Sequence, residues 1–122
     1  MINLFWIATG GAIGASLRYF ISNIMKSFIP NLPIGTLFIN ILGSFLIGFA
    51  MSYLENKNIS ENFIKYFFVI GLLGSFTTFS AFSFEIVDMY NNHKLIIPFL
   101  YILLSVSCCV LAAFLGYNLN RI

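Results

Sequence analysis

Four hydroxyl side chains lie within one short and otherwise apolar stretch of the sequence, GLLGSFTTFSAF at residues 71–82. They are Ser75, Thr77, Thr78 and Ser80. Hydroxyl groups can donate hydrogen bonds to an anion, and they can also bond to backbone groups and compete with a helix. Because glycine also weakens a helix, the stretch predicts an interruption that exposes backbone carbonyl groups. At membrane depth, exposed carbonyls are tolerated only where they line a cavity or bind an ion.

Phenylalanine recurs at every third position of the same stretch, at Phe76, Phe79 and Phe82. Residues three apart share one face of a helix. An aromatic ring is electron-rich on its face and electropositive at its edge, so rings presented edge-on could line a path for a small anion. The alternative is an aromatic packing stripe, and the phenylalanines taken alone favour that alternative.

Three further polar residues lie in apolar surroundings, and such residues in a membrane span are candidates for function. Asn40, with Thr36 one turn before it, could form an interhelical hydrogen bond or donate to an ion. Arg18 could extend to the membrane interface or supply a positive charge at the mouth of an anion path. Glu85 could pair with a cation near the interface, couple to a proton or act as a gate. The residues themselves leave these alternatives open.

The elements that must position these residues are membrane-spanning helices. The chain is 60% hydrophobic and 8% charged, against about 25% charged residues in a soluble domain. A helix needs roughly 20 apolar residues to cross a bilayer. Because the N-terminus lacks the basic region of a signal peptide, its apolar stretch is expected to be the first span. We therefore predict an all-α integral membrane protein with a single membrane domain, 1–122, whose third helix is broken near Gly74–Phe79. Its four spans are expected at about 2–25, 33–54, 63–89 and 95–119.

Lysine and arginine are nearly balanced between the two predicted sides of the membrane. One side carries Lys57, Lys65 and Arg121, and the other carries Lys26 and Lys94, with Arg18 two turns before the end of its span. Orientation in membranes follows an imbalance of these residues. Insertion in both orientations is therefore expected, while a fixed orientation set by other cues stays open.

Small residues recur at the spacing of helix-packing faces, beginning with Gly10 and Gly14 in the first span. The others are Gly11, Gly43, Ser44, Ala112, Ala113 and Gly116. In lipid, close helix packing depends on such faces, and each glycine alone is best explained by packing within one subunit. Adjacent Cys108 and Cys109 are also interpreted as small packing residues. A tight four-helix bundle has no wide pore, so a conduit must be narrow or lie between subunits, which predicts an oligomer.

Other function classes lack support in the sequence. The net charge is +2 and basic residues do not cluster, so a nucleic-acid partner is not expected. The single histidine, His93, falls in a predicted loop, and the sequence contains no cluster with metal-ligand spacing, no nucleophile beside a base and no phosphate-binding loop. We therefore do not expect an enzyme.

Three motifs together resemble the CrcB/Fluc family of fluoride channels. They are GGAIGASLRY at residues 10–19, GTLFINILGSFLIG at 35–48 and GLLGSFTTFSAFSFE at 71–85, one in each of the first three spans. The resemblance implies a fluoride-selective channel that exports fluoride passively across the cell inner (plasma) membrane and protects against its toxicity. It also implies an antiparallel, dual-topology homodimer with two narrow pathways, which agrees with the balanced lysine and arginine.

The resemblance assigns roles to residues that the composition alone cannot assign. It implies that Phe79 and Phe82 line the fluoride pathway with ring edges, and that Asn40 and the hydroxyl of Ser80 donate to fluoride. In the fourth span it implies a polar track at Tyr101, Ser105 and Ser107.

Two more roles follow from the same resemblance. Arg18 would lie in a wide aqueous vestibule and attract anions. A structural sodium ion at the dimer centre would be bound by the backbone carbonyls of Gly74 and Thr77 from both subunits.

Two other classes of membrane protein fit this sequence less well. A small multidrug transporter has a similar size and dimer arrangement but needs a carboxylate deep in its first span, where this chain has Arg18 instead. A membrane anchor or assembly protein predicts no focused polar cluster in its spans. Asn40 and residues 75–80 form such a cluster.

Overall fold

The computed structural model describes residues 1–57, 62–92 and 95–121, and in these ranges it contains helices and no strands. Long helices form because residues in lipid must satisfy their backbone hydrogen bonds within their own segment. Two positions used in the sequence analysis, His93 and Lys94, lie outside the described residues.

Four helical spans cross the molecule, as the sequence predicted. Helix α1 is Ile2–Phe28 and α2 is Ile34–Lys57. The third span, Phe63–Asn91, consists of a π-helical segment Phe63–Leu73, a short α3 at Gly74–Phe76, and α4 at Phe79–Asn91. The fourth is α5, Ile96–Leu119. Pro98 lies in the first turn of α5 and Pro33 immediately precedes α2, where the missing N–H of proline costs least.

The outer faces of the spans are strongly apolar. On α5, for example, Phe99, Leu103 and Phe114 are all exposed. Lipid is as apolar as these side chains, so exposure of this kind is stable in a membrane and would be costly in water. The hydrophobic effect therefore does not hold the bundle together, and close packing must contribute instead.

Helix α1 packs against the third span through its glycine face. A Cβ atom added at Gly10 would overlap the backbone of Phe67, and one added at Gly14 would overlap the carbonyl of Leu72. On the third span, a Cβ atom added at Gly71 would lie 3.1 Å from the Gly10 Cα. The predicted packing role of Gly10 and Gly14 within one subunit is confirmed, because no side chain fits between these backbones.

Helices α2 and α5 approach equally closely. A Cβ atom at Gly48 would overlap the Ala113 carbonyl, and one at Gly116 would overlap the Phe45 carbonyl. Nearer the end of the bundle, Asn56 Nδ2 donates to the Asn120 carbonyl at 3.2 Å. Since four spans cross in alternating directions, α2 and α5 run parallel.

Two extended residues separate α3 from α4. Thr77 has φ −80° and ψ 154°, and Thr78 has φ −150° and ψ 121°. Thr78 then caps α4, since its Oγ1 accepts a hydrogen bond from the Ala81 N–H at 3.1 Å. Gly43 makes room for this geometry, because a Cβ there would overlap Thr77 Cγ2.

The contact between α1 and the third span predicts the effect of a matched pair of substitutions. Gly14→Leu should destabilise the folded protein by roughly 1–3 kcal/mol, because the added side chain meets backbone that cannot move aside cheaply. Ala12→Leu, at an exposed position of the same helix, should have little effect. Thermal unfolding in detergent, followed by Trp6 fluorescence, measures both variants. Equal melting temperatures for the two would contradict the packing described here.

Candidate functional site

Asn40 binds the backbone of Thr78 at both of its polar atoms. Its Nδ2 donates to the Thr78 carbonyl at 3.0 Å, and its Oδ1 accepts from the Thr78 N–H at 2.8 Å. This is the interhelical hydrogen bond that was one of the two alternatives for Asn40. A side-chain amide carries two N–H hydrogens, so the hydrogen not used by Thr78 can still serve another acceptor.

Two carbonyl groups in the third span lack the backbone N–H donors that they would have in a continuous helix. In a continuous helix the Thr78 N–H would donate to the Gly74 carbonyl, and the Ala81 N–H to the Thr77 carbonyl. Here the first donates to Asn40 and the second to Thr78 Oγ1. Gly74 and Thr77 were expected to bind a cation through these carbonyls, and both carbonyls lack their helical donor.

Arg18 lies against the same part of the third span. Its Nε donates to the Ser75 carbonyl at 3.1 Å, and the side chain is half-buried. In a continuous helix this carbonyl would accept from the Phe79 N–H. The Ser75 carbonyl loses this backbone donor because Thr77 and Thr78 are extended, and Arg18 supplies a side-chain donor in its place.

An aromatic cluster follows directly after the extended residues. The ring centroids of Phe79 and Phe82 are 5.6 Å apart, and those of Phe82 and Tyr101 are 5.2 Å apart. Phe82 and Tyr101 are buried, whereas Phe79 is 77% exposed. The structure thus brings three of the expected pathway residues together, with the outermost ring open to lipid or to a second subunit.

Glu85 joins three helices. Its carboxylate accepts a hydrogen bond from Thr36 Oγ1 at 2.5 Å and another from Tyr101 Oη at 2.7 Å. Both donors are buried. Among the described residues, the partners of Glu85 are thus hydroxyl groups from α2 and α5 and not the lysine or arginine considered from the sequence.

The polar residues of α2 and α5 form what we call the polar ladder, which consists of Thr36, Asn40 and Ser44 on α2 and Tyr101, Ser105 and Cys109 on α5. Each set is spaced by four residues and so shares one helix face. Because the two helices run parallel with Gly48 opposite Ala113, the members of the ladder lie level in pairs.

Two cavities lie along this ladder. One of about 450 Å³ is lined by Thr36, Glu85, Lys26 and Asp88 among others. A second of about 310 Å³ is lined by Asn40, Ser44, Thr78, Phe79 and Cys109 among others. Open volume therefore reaches the polar ladder near both of its ends.

The three serines that were expected to donate to fluoride lie in different parts of the structure. Ser105 is buried, and its Oγ has no hydrogen-bond partner among the described residues. Ser80 is exposed, and its Oγ lies 3.1 Å from Thr78 Oγ1. Ser107 is also exposed and lies about 200° around α5 from Ser105, so the structure does not bring it to the ladder.

Sequence reasoning missed three features of the site: the pairing of Glu85 with hydroxyl groups, Ser44 as a lining residue, and Cys109. Cys109 was assigned to packing, but it lines the second cavity together with Asn40. Its position two turns after Tyr101 on the same face was a signal that could have identified it.

Comparison with known proteins gives a consistent result over nearly the whole chain. Residues 5–117 match the family described as CrcB-like protein, Camphor Resistance (CrcB). The chain is 43% identical over 119 residues to a fluoride-specific ion channel of Campylobacter jejuni, which covers 96% of this chain and 97% of that relative. It is 41% identical over 122 residues to one of Ruminiclostridium cellulolyticum, which covers 99% of this chain and 94% of the relative.

A further relative, from Flavobacterium psychrophilum, is 38% identical over 117 residues, which covers 95% of this chain and 94% of the relative. It too is named a fluoride-specific ion channel, and such channels are not enzymes. The family match at residues 5–117 includes parts of all four spans and the stretch that contains the polar ladder. The chain therefore belongs to the CrcB family, as its three motifs suggested.

Proposed function

We propose that this protein is a fluoride-selective channel of the cell inner membrane, which exports fluoride passively down its electrochemical gradient and protects the cell from fluoride toxicity. The observation that carries the proposal is the polar ladder, a line of neutral donors beside the Phe79–Phe82–Tyr101 cluster with a cavity near each end. The names of the relatives supply the identity of the ion.

Fluoride is small and strongly hydrated, so a path must replace the lost water with several donors and still release the ion. The unused N–H of Asn40, the Ser105 hydroxyl and the electropositive ring edges of Phe79 and Phe82 can supply such contacts. None of these groups carries a full charge. Ser80 adds a further hydroxyl beside Phe79. Ser107 could contribute only outside the ladder.

We further propose an antiparallel, dual-topology homodimer with two narrow pathways. Two surface features support a second copy against the third span. Phe79 is 77% exposed, although it is part of the aromatic cluster, and Gly74 is exposed in the middle of the span. A second subunit would cover the ring and complete the wall of the cavity at Asn40.

A structural sodium ion at the dimer centre is part of the proposal. The carbonyls of Gly74 and Thr77 lack their helical donors, and carbonyl oxygens suit a hard cation. With both subunits contributing, these residues would hold the ion. When bound, it would compensate carbonyl groups that lipid cannot satisfy.

The first test is fluoride efflux from liposomes that contain the purified protein. We expect passive, electrogenic fluoride efflux and no comparable efflux of chloride, because chloride is larger and cannot be enclosed by the same donors. An ion-selective electrode measures the efflux after a potassium ionophore is added to balance charge. Absence of fluoride flux, or flux that requires a proton gradient, would refute the channel.

A second test concerns the ring of Phe82. Phe82→Ile keeps an apolar side chain but removes the electropositive ring edge, so fluoride flux should fall by about tenfold or more while the dimer persists. Phe114→Ile, at an exposed position of α5, is the matched control and should retain its flux. Unchanged flux in Phe82→Ile would remove Phe82 from the pathway.

The third test removes sodium. Exchange of sodium for a large organic cation should weaken the dimer or reduce fluoride flux by about tenfold or more. The reason is that the carbonyls of Gly74 and Thr77, which lack helical donors, would lose the ion that compensates them. Size-exclusion chromatography measures the dimer, and restoring sodium should reverse the loss. A dimer and a flux that are both indifferent to sodium would contradict the proposed ion.

A further inference from the structure

We propose that Arg18 is a positioning residue whose Nε–H fixes the backbone of the third span at the extended residues, and that the position of this donor matters more than the charge. The proposal goes beyond the proposed channel function, and it rests on that function only for its flux measurement. It differs from a vestibule role, in which the charge of Arg18 attracts anions from solution.

The first support is the pattern of displaced hydrogen bonds. Extension at Thr77 and Thr78 removes the helical donors of four consecutive carbonyls, those of residues 74–77. Among the described residues, a side chain replaces the donor only at the Ser75 carbonyl, where Arg18 donates at 3.1 Å. Arg18 thus distinguishes one carbonyl that is satisfied within the chain from three that are left to another partner.

The second support is that the extended residues are held from two sides. Asn40 on α2 binds both backbone groups of Thr78, and Arg18 on α1 binds the carbonyl of Ser75. Each bond spans more than thirty residues of sequence, since the partners are 38 and 57 positions apart. Removal of either bond would leave a backbone group unpaired at membrane depth, where lipid offers no replacement partner.

The third support is that the fold places Arg18 by backbone contact. Gly14 lies one turn before Arg18 on the same face of α1, and its Cα touches the backbone of Leu72 so closely that a Cβ would overlap the Leu72 carbonyl. A Cβ at Gly11 would lie 3.1 Å from Ser75 Oγ. The position of Arg18 relative to the third span is therefore set by close contacts at Leu72 and at Ser75.

The identity of the donor atom allows charge and position to be separated. The bond is made by Nε, which is the fourth side-chain atom from the backbone. Glutamine carries Nε2 at the same distance along its side chain but is neutral. Lysine keeps the positive charge but places its nitrogen one bond further out, and methionine has neither donor nor charge.

The experiment compares Arg18→Gln, Arg18→Lys and Arg18→Met as purified proteins, with Arg121→Met as a control beyond the last span. Hydrogen–deuterium exchange of the peptide that covers residues 71–85 measures the protection of the segment that contains the amides of Thr77, Thr78 and Ala81. We expect exchange in Arg18→Gln within about twofold of the wild type, and exchange in Arg18→Met faster by about tenfold or more. Arg18→Lys should lie between them, and Arg121→Met should match the wild type.

Fluoride flux should follow the same order, with Arg18→Gln above Arg18→Lys. Flux and exchange that follow charge, with Arg18→Lys near the wild type and Arg18→Gln equal to Arg18→Met, would overturn the proposal. If Arg18→Met does not fold, the comparison of Arg18→Gln with Arg18→Lys still distinguishes the position of the donor from its charge. If the wild type does not conduct fluoride, the channel proposal fails, while the exchange measurement still tests Arg18.

Discussion

The pairing of Asn40 with the backbone of Thr78 is the interaction on which the rest of the site depends. Two extended residues in a membrane span expose polar groups that water cannot reach, and each unpaired group would cost several kcal/mol. Asn40 satisfies a donor and an acceptor of the same residue at 2.8 and 3.0 Å. Because α4 begins directly after Thr78, this contact also sets where α4 starts and which way its first turn faces. The position of Phe82 against Tyr101 follows from it.

Hydroxyl groups inside and outside the site behave differently, and the difference bears on function. Ser16, Ser27 and Ser83 each donate to the carbonyl four residues before, which is the usual fate of a hydroxyl in a helix. On the polar ladder, Thr36 donates instead to Glu85, and the buried Ser105 hydroxyl has no partner among the described residues. Thr36 is therefore committed to Glu85, whereas the Ser105 hydroxyl is a ladder donor that is available to a passing ion.

The sequence predicted the elements of this molecule better than their contacts. Four spans followed from hydropathy and length, and the packing of Gly10 and Gly14 followed from their spacing, since both are local properties of the chain. The partners of Asn40 and Glu85 could not be predicted, because Thr78 is 38 residues from Asn40 and Thr36 is 49 residues from Glu85. Such bonds depend on how three helices are placed relative to one another.

Other differences also have a physical origin. The π-helical turns at Phe63–Leu73 have no known composition signal, since the apolar residues there fit an α-helix equally well. The resemblance to the family implied a role for Ser107 together with Ser105, but residues two positions apart on a helix point to nearly opposite sides. Helical spacing applied to α5 would have replaced Ser107 with Cys109, which lies four residues after Ser105.

The placement of charge explains how a line of donors could conduct an anion without retaining it. A full positive charge at a narrow, dry constriction would bind a small anion strongly, because electrostatic attraction grows as the dielectric constant falls. The amide, hydroxyl and ring groups along the polar ladder offer partial charges instead. Arg18 interacts with a backbone carbonyl on the α1 side of the third span and is held apart from the ladder. Lys26 lines the cavity at the Thr36 end of the ladder, where Glu85 and Asp88 also lie. Along the ladder itself fluoride would meet several weak partners in succession, which is the condition for entry and release along one path.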